Sequence, residues 1–203
     1  MKTTILLLAL ILMAPISCSK KDDDAFKPTL PPITQTGENT FGCYANGVLI
    51  TPRDGTGTFN VPDPGMSFIA GPGAGNITYH EISVHDFASE KTSGILLHIV
   101  ELDTIGAGEY TVKQSNCKGN LDGPAANHIF CRIWDSKNET YKYYCSLENT
   151  GVISITRYDV ENRIISGVFS CLAANSVDPN DIIEITEGRF DINWDKLRYT
   201  NFP

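Results

Sequence analysis

The chain has 203 residues, with 16 basic side chains against 24 acidic ones and a formal charge of −8 at neutral pH. That balance argues against a nucleic-acid partner, whose phosphates require a Lys/Arg footprint. The length suits one hydrophobic core, and no internal repeat or second linker divides it.

In chain order, Lys2 precedes an apolar run from Ile5 to Ala14, and polarity switches at Ser19-Lys20-Lys21-Asp22-Asp23-Asp24. The run is shorter than the ~20 apolar residues of a spanning helix and has the form of an export signal. Ser17-Cys18 places a small residue just before a cysteine at this boundary, which resembles the bacterial lipobox, although Pro15 and Ile16 depart from its commonest form. The resemblance implies cleavage before Cys18 and attachment of membrane lipid to its thiol. The rival is ordinary signal-peptidase cleavage that leaves Cys18 free. The acidic segment after the cysteine is also similar to the lipoprotein-export signal of Bacteroidota, which implies an outer-membrane protein facing the cell exterior. Residues 1–17 are therefore expected as a signal peptide and residues 18–40 as a lipidated cysteine with a flexible tether, in which prolines oppose regular structure. Residues 41–203 are expected as a single all-β domain.

Within that domain nearly every apolar stretch has period two and is bounded by turn residues. Residues 41–45 and 48–50 flank Asn46-Gly47, a tight-hairpin signal because both turn positions need positive φ. Residues 76–87 and 94–102 form a second expected pair, and Tyr110 and Val112 mark a short strand. The spans 128–134, 141–147, 151–158, 163–173 and 182–194 read as five strands whose short connections favour up-and-down neighbours. Apolar parity changes at Glu187-Gly188 in the last of them, which predicts a bulge there. The fold class is all-β: an antiparallel β-sandwich or partly closed barrel of about nine or ten strands.

Besides Cys18 the chain has Cys43, Cys117, Cys131, Cys145 and Cys171, an odd set in a compartment that permits disulfides. If residues 136–140 form a hairpin turn, Cys131 and Cys145 are both seven residues from Asn138 and face each other, a possible disulfide. A one-residue change of register would separate them onto opposite faces.

Four segments carry a resemblance to a known family: Thr40-Phe41-Gly42-Cys43-Tyr44-Ala45-Asn46-Gly47, Ile153-Ser154-Ile155-Thr156-Arg157-Tyr158-Asp159, Ile165-Ser166-Gly167-Val168-Phe169-Ser170 and Ile185-Thr186-Glu187-Gly188-Arg189-Phe190-Asp191. In them the chain resembles an uncharacterised family of small Bacteroidota outer-membrane lipoproteins with an all-β domain of unknown function. The resemblance implies an anchored β domain and supplies no catalytic residues.

Candidate chemistry is sparse. His80 and His85 differ in parity, so a regular strand sends them to opposite faces, and with His98 and His128 they are expected at the surface or at strand edges. No cysteine spacing suits a metal cluster, and no motif calls for a cofactor. Cys117 with His128 is weak evidence for a thiol nucleophile, particularly in an oxidising compartment. Glu101, Asp103, Asp122, Asp159 and Glu187 could supply a carboxylate pair only if their separation allowed it. Asp54-Gly55-Thr56-Gly57 and Asp178-Pro179-Asn180-Asp181 could ligate calcium but are ordinary turns, and Gly71-Pro72-Gly73-Ala74-Gly75 lacks the lysine and helix of a phosphate loop. Tyr141-Lys142-Tyr143-Tyr144 is the segment with binding character: exposed tyrosines on a sheet stack on sugar rings or anchor a protein partner. The leading expectation is a lipid-anchored interaction or structural module without catalysis, with a glycan or surface protein as partner. The alternative is a small hydrolase with a carboxylate or His-containing site.

Overall fold

The computed structural model describes residues 27–59, 62–72, 77–117 and 126–203. Cys18 and the export signal lie outside these residues, as do Gly73 to Gly75 and Asp122. Among the described residues there are eleven strands: β1 (Thr40–Ala45), β2 (Val48–Ile50), β3 (Met66–Pro72), β4 (Thr78–His85), β5 (Gly94–Val100), β6 (Gly108–Thr111), β7 (His128–Asp135), β8 (Thr140–Ser146), β9 (Val152–Asp159), β10 (Ile164–Asn175) and β11 (Ile182–Asn193). Two single-turn helices, α1 (Leu102–Ile105) and α2 (Trp194–Leu197), complete the elements. Neither is long and apolar enough to cross a membrane.

All strand pairs are antiparallel, in the order β2-β1-β11-β10-β8-β7-β5-β4-β3, and the sheet curls into a half-barrel. Long strand β10 makes the curl possible. One edge pairs with β11; the other pairs with β9 from Ile164 to Ser170 and then with β8 from Ala173 to Asn175. β9 carries β6 on its far side. The sheet therefore forks, and its two branches enclose the core. Consecutive strands β8 and β9 are not neighbours, as short connections had suggested, because β10 is long enough to take both. The eleventh strand, β3, is absent from the sequence expectation: Gly71-Pro72 masked it as a turn, yet it is an edge strand, where proline is tolerated.

Local chemistry sets the details. Asn46 and Gly47 have φ of 51° and 75°, and Ala45 pairs with Val48, so the first hairpin has the expected two-residue turn. On β11 the register slips around Glu187, whose φ is 52°, so Ile183, Ile185, Phe190 and Ile192 all enter the core. Gly188 allows close packing there, since a Cβ would lie 2.6 Å from the Phe169 ring. Phe169 in turn packs between Phe41 and Phe190, with centroids at 5.5 and 6.4 Å.

The segment before β1 departs from a free tether. The buried carboxylate of Asp191 on β11 accepts hydrogen bonds from Thr34 Oγ1 (2.7 Å) and from the backbone N–H groups of Thr36 (2.9 Å), Gly37 (2.9 Å) and Glu38 (3.2 Å). Ser166 Oγ on β10 donates a fifth at 2.7 Å. Burial pushes the Asp191 carboxyl upward, but bonds from Ser166, Thr34, Gly37 and Glu38 outweigh it and hold it below its ordinary range. Arg157 also donates to the Gln35 carbonyl. Residues 34–38 are thus part of the folded unit.

Candidate functional site

The register of β4, β5, β7 and β8 sorts their side chains onto two faces. Toward the core point Ile82, Val84, Ile95, Leu97, Ile99, Ile129, Cys131 and Tyr144, all buried. On the outer face three cross-strand rows follow one another: Glu81, His98 and His128; then Ser83, Leu96, Phe130 and Cys145; then His85, Gly94, Arg132 and Tyr143. Trp134 and Tyr141 extend the last row toward the β7–β8 turn.

This end of the outer face is an aromatic and cationic platform. Phe130 stacks with Tyr143 at 6.0 Å, and Trp134 meets the edge of Tyr141 at 5.0 Å. The Arg132 guanidinium lies 4.9 Å over Tyr141 and the Lys91 ammonium 5.1 Å over Trp134. Next to Arg132, Gly94 leaves room for the His85 imidazole, which stacks on Phe87 at 4.8 Å. Of the three tyrosines singled out from sequence, Tyr141 and Tyr143 belong to this platform, with Tyr143 41% exposed. Tyr144 does not. It is 3% exposed on the core face, and its hydroxyl reaches Asp181 at 3.1 Å. Sequence reasoning missed Phe130, Arg132 and Trp134, although their common parity in 128–134 was the available signal.

The disulfide differs from the expected pair. Cys131 pairs in register with Tyr144, not Cys145, so Cys131 faces the core and Cys145 the outer face. Cys145 is bonded to Cys117, with Cα atoms 5.5 Å apart, which also removes Cys117 as a nucleophile. Cys131 is a buried free thiol, like Cys43 and Cys171. Burial raises all three thiols, Cys171 to about 12, so none is poised to react as a thiolate.

The histidines correct another expectation. Regular β4 does send His80 and His85 to opposite faces, but His80, His98 and His128 are buried rather than surface groups. His98 Nδ1 lies 2.8 Å from Glu81 Oε1, and its ring stacks on His128 at 4.6 Å and Tyr79 at 5.1 Å. Burial takes the His128 pKa down to about 4, despite a hydrogen bond with the Ala126 carbonyl, so it is neutral at pH 7. His80 lies at the seam between the sheet branches, 3.6 Å from Asp103 and near Phe68 and Tyr158. Among the described residues no group of three His, Cys, Asp or Glu side chains could hold a metal ion.

Of the carboxylates proposed for hydrolysis, Asp103, Asp159 and Glu187 have local partners. Asp103 accepts from Tyr158 Oη at 2.5 Å, Asp159 pairs with Arg157 at 2.7 Å, and Glu187 pairs with Arg189 at 3.2 Å. The turn carboxylates do likewise: Asp54 accepts from the N–H groups of Gly65 and Phe202, and Asp181 pairs with Lys142 at 2.8 Å. A groove of about 680 Å³ opens at the seam, with Met66, Phe68, Trp194 and Leu197 in its apolar wall. Its aromatic side is the contact of Phe68 and Trp194 at 5.6 Å. In comparisons with known proteins, no family model, curated protein or solved structure gives a significant match to this chain.

Proposed function

We propose that this chain is a lipid-anchored, cell-surface binding module without catalytic activity, and that it engages a saccharide through the outer face of β7 and β8. The observation that carries the proposal is the contiguous platform of Phe130, Tyr143, Trp134 and Tyr141 on a sheet face. Aromatic rings offer apolar faces to the C–H faces of sugars, while the Tyr and Trp polar ends and the adjacent guanidinium suit their hydroxyls. A protein partner is the other occupant such a surface could take. The hydrolase alternative gains little support, because Asp103 and Asp159 already hold structural partners.

The anchor is supported by Ser17-Cys18 at the end of an apolar run, and the surface address by Asp22-Asp23-Asp24 just beyond it. Two or more acyl chains on Cys18 would give stable attachment, as one chain binds only marginally. Labelling with an alkynyl palmitate analogue should mark the wild type and not Cys18→Ala. For the platform, the detergent-solubilised full chain is screened on a glycan array. Saccharide binding that drops at least tenfold in Trp134→Ala and Tyr141→Ala, and is unchanged in Tyr199→Ala, supports the assignment. Loss in Trp194→Ala instead would move the site to the seam groove, and capture of a protein but no glycan would replace the ligand class.

A further inference from the structure

Buried polar nitrogens in folded proteins nearly always have a hydrogen-bond partner. Among the described residues four lack one: His80 Nδ1, His85 Nδ1, Arg132 Nε and Trp134 Nε1. Three of the four sit together on the outer-face platform, in the row His85–Gly94–Arg132 and beside it at Trp134. Two of them, the guanidinium Nε–H and the indole N–H, can only donate. The neighbouring His85 is held by Ser83, whose Oγ lies 3.1 Å from Nε2, and this leaves Nδ1 over Gly94. Gly94 is part of the construction, since a Cβ there would lie 2.5 Å from that nitrogen.

Charge points the same way. The protein carries a formal charge of −8, yet neither Arg132 nor Lys91 has a carboxylate partner among the described residues; both cations lie over aromatic rings instead. Two nearby acids are engaged elsewhere, Asp86 with Arg53 at 2.7 Å and Asp135 with Lys142 at 3.3 Å. Unpaired donors, unpaired positive charge and stacking surface therefore coincide in one place.

We infer that the saccharide taken by this platform bears an anionic oxygen group, a carboxylate or sulfate, received by Arg132 and Trp134 with Lys91 at the rim. The inference rests on the saccharide-binding proposal above. A guanidinium fork matches such a group geometrically, and a hydrogen bond to a charged acceptor is about twice as strong as a neutral one. The sugar ring would stack on Tyr141, which separates the contact that binds any sugar from the contacts that select an acidic one.

The test is calorimetric titration of the full-length chain in detergent with tetragalacturonate, with its methyl ester, and with a 6-O-sulfated galactose trisaccharide and its unsulfated form. An acid favoured at least tenfold over its neutral counterpart is expected, and the pair showing it identifies carboxylate or sulfate. Arg132→Met should abolish that preference, so that the acidic and neutral forms bind with equal affinity. Lys91→Gln, at an exposed position, should reduce the preference several-fold and serves if Arg132→Met folds poorly. Equal affinity for acidic and neutral forms in the wild type overturns this inference but leaves the saccharide-binding module standing. No binding of any of the four overturns both.

Discussion

Removal of the Asp191 carboxylate should release the segment that joins the domain to its proposed anchor. Asp191 Oδ2 takes the bonds from Thr34, Thr36 and Glu38, and Oδ1 those from Gly37 and Ser166. Ser166 is fully buried, so its stranded hydroxyl costs about 1–3 kcal/mol. The four donors from residues 34–38 are partly buried and recover water on release, so each contributes about 0.5–1 kcal/mol. Asp191→Ala should therefore destabilise by about 3–7 kcal/mol, with Asp191→Asn nearer 2 because one acceptor survives. The folded pKa is depressed, so the stabilisation is complete above the ordinary carboxylate range and is lost as pH falls through the folded value. Asp191→Asn should accordingly flatten the acid limb of the stability profile. Hydrogen exchange supplies the local readout: the amides of Thr36, Gly37 and Glu38 should exchange much faster in Asp191→Asn. Unchanged exchange at those amides would refute the clamp.

Two further outcomes follow from buried groups. Non-reducing peptide mapping should yield Cys117 linked to Cys145, with Cys131 alkylated as a free thiol after unfolding. The bond joins residues 28 apart, so Cys117→Ser should lower stability by about 3–4 kcal/mol in the chain-entropy account. His128, with its folded pKa near 4, is neutral when buried and takes up a proton on unfolding between pH 6.5 and 4. Stability therefore falls as pH drops through that window, by up to about 3 kcal/mol, and urea titrations of His128→Gln should show a shallower decline there.

Strand periodicity made most of the fold legible. The alternation in 128–134 and 151–158, the Asn46-Gly47 turn and the parity change at Glu187-Gly188 each encode a local preference that tertiary packing keeps. β3 was hidden because Gly71 and Pro72 speak of turns, and only its place at the sheet edge makes them compatible with a strand. The fork at β10 was hidden for a different reason. A twelve-residue strand can serve two partners, and no local pattern in 164–175 says that β8 docks at its end and β9 at its start. The Asp191 clamp was equally silent, since it joins groups more than 150 positions apart. The buried Glu81–His98–His128 row arises in the same way, from the mutual register of three strands.

One residue of turn length accounts for both the disulfide and the platform. A five-residue turn over 136–140 would have set Cys131 opposite Cys145. The actual hairpin closes at Asp135 and Thr140, with Glu139 at φ 49° and the Asp135 carboxylate accepting from Lys137 N, Asn138 N and Asn138 Nδ2. Side chains alternate along a strand, so that single residue decides which face every β8 side chain takes relative to β7. In the register observed, Lys142 and Tyr144 turn away from the platform to Asp181, and Tyr141 and Tyr143 join Trp134 and Arg132. A slip by one would carry both platform tyrosines across to the core side and bring Lys142 and Tyr144 out. It would also take Cys145 away from Cys117. The disulfide on the outer face and the aromatic platform beside it are thus two consequences of one register, and the bond opposes the slip that would dismantle the site.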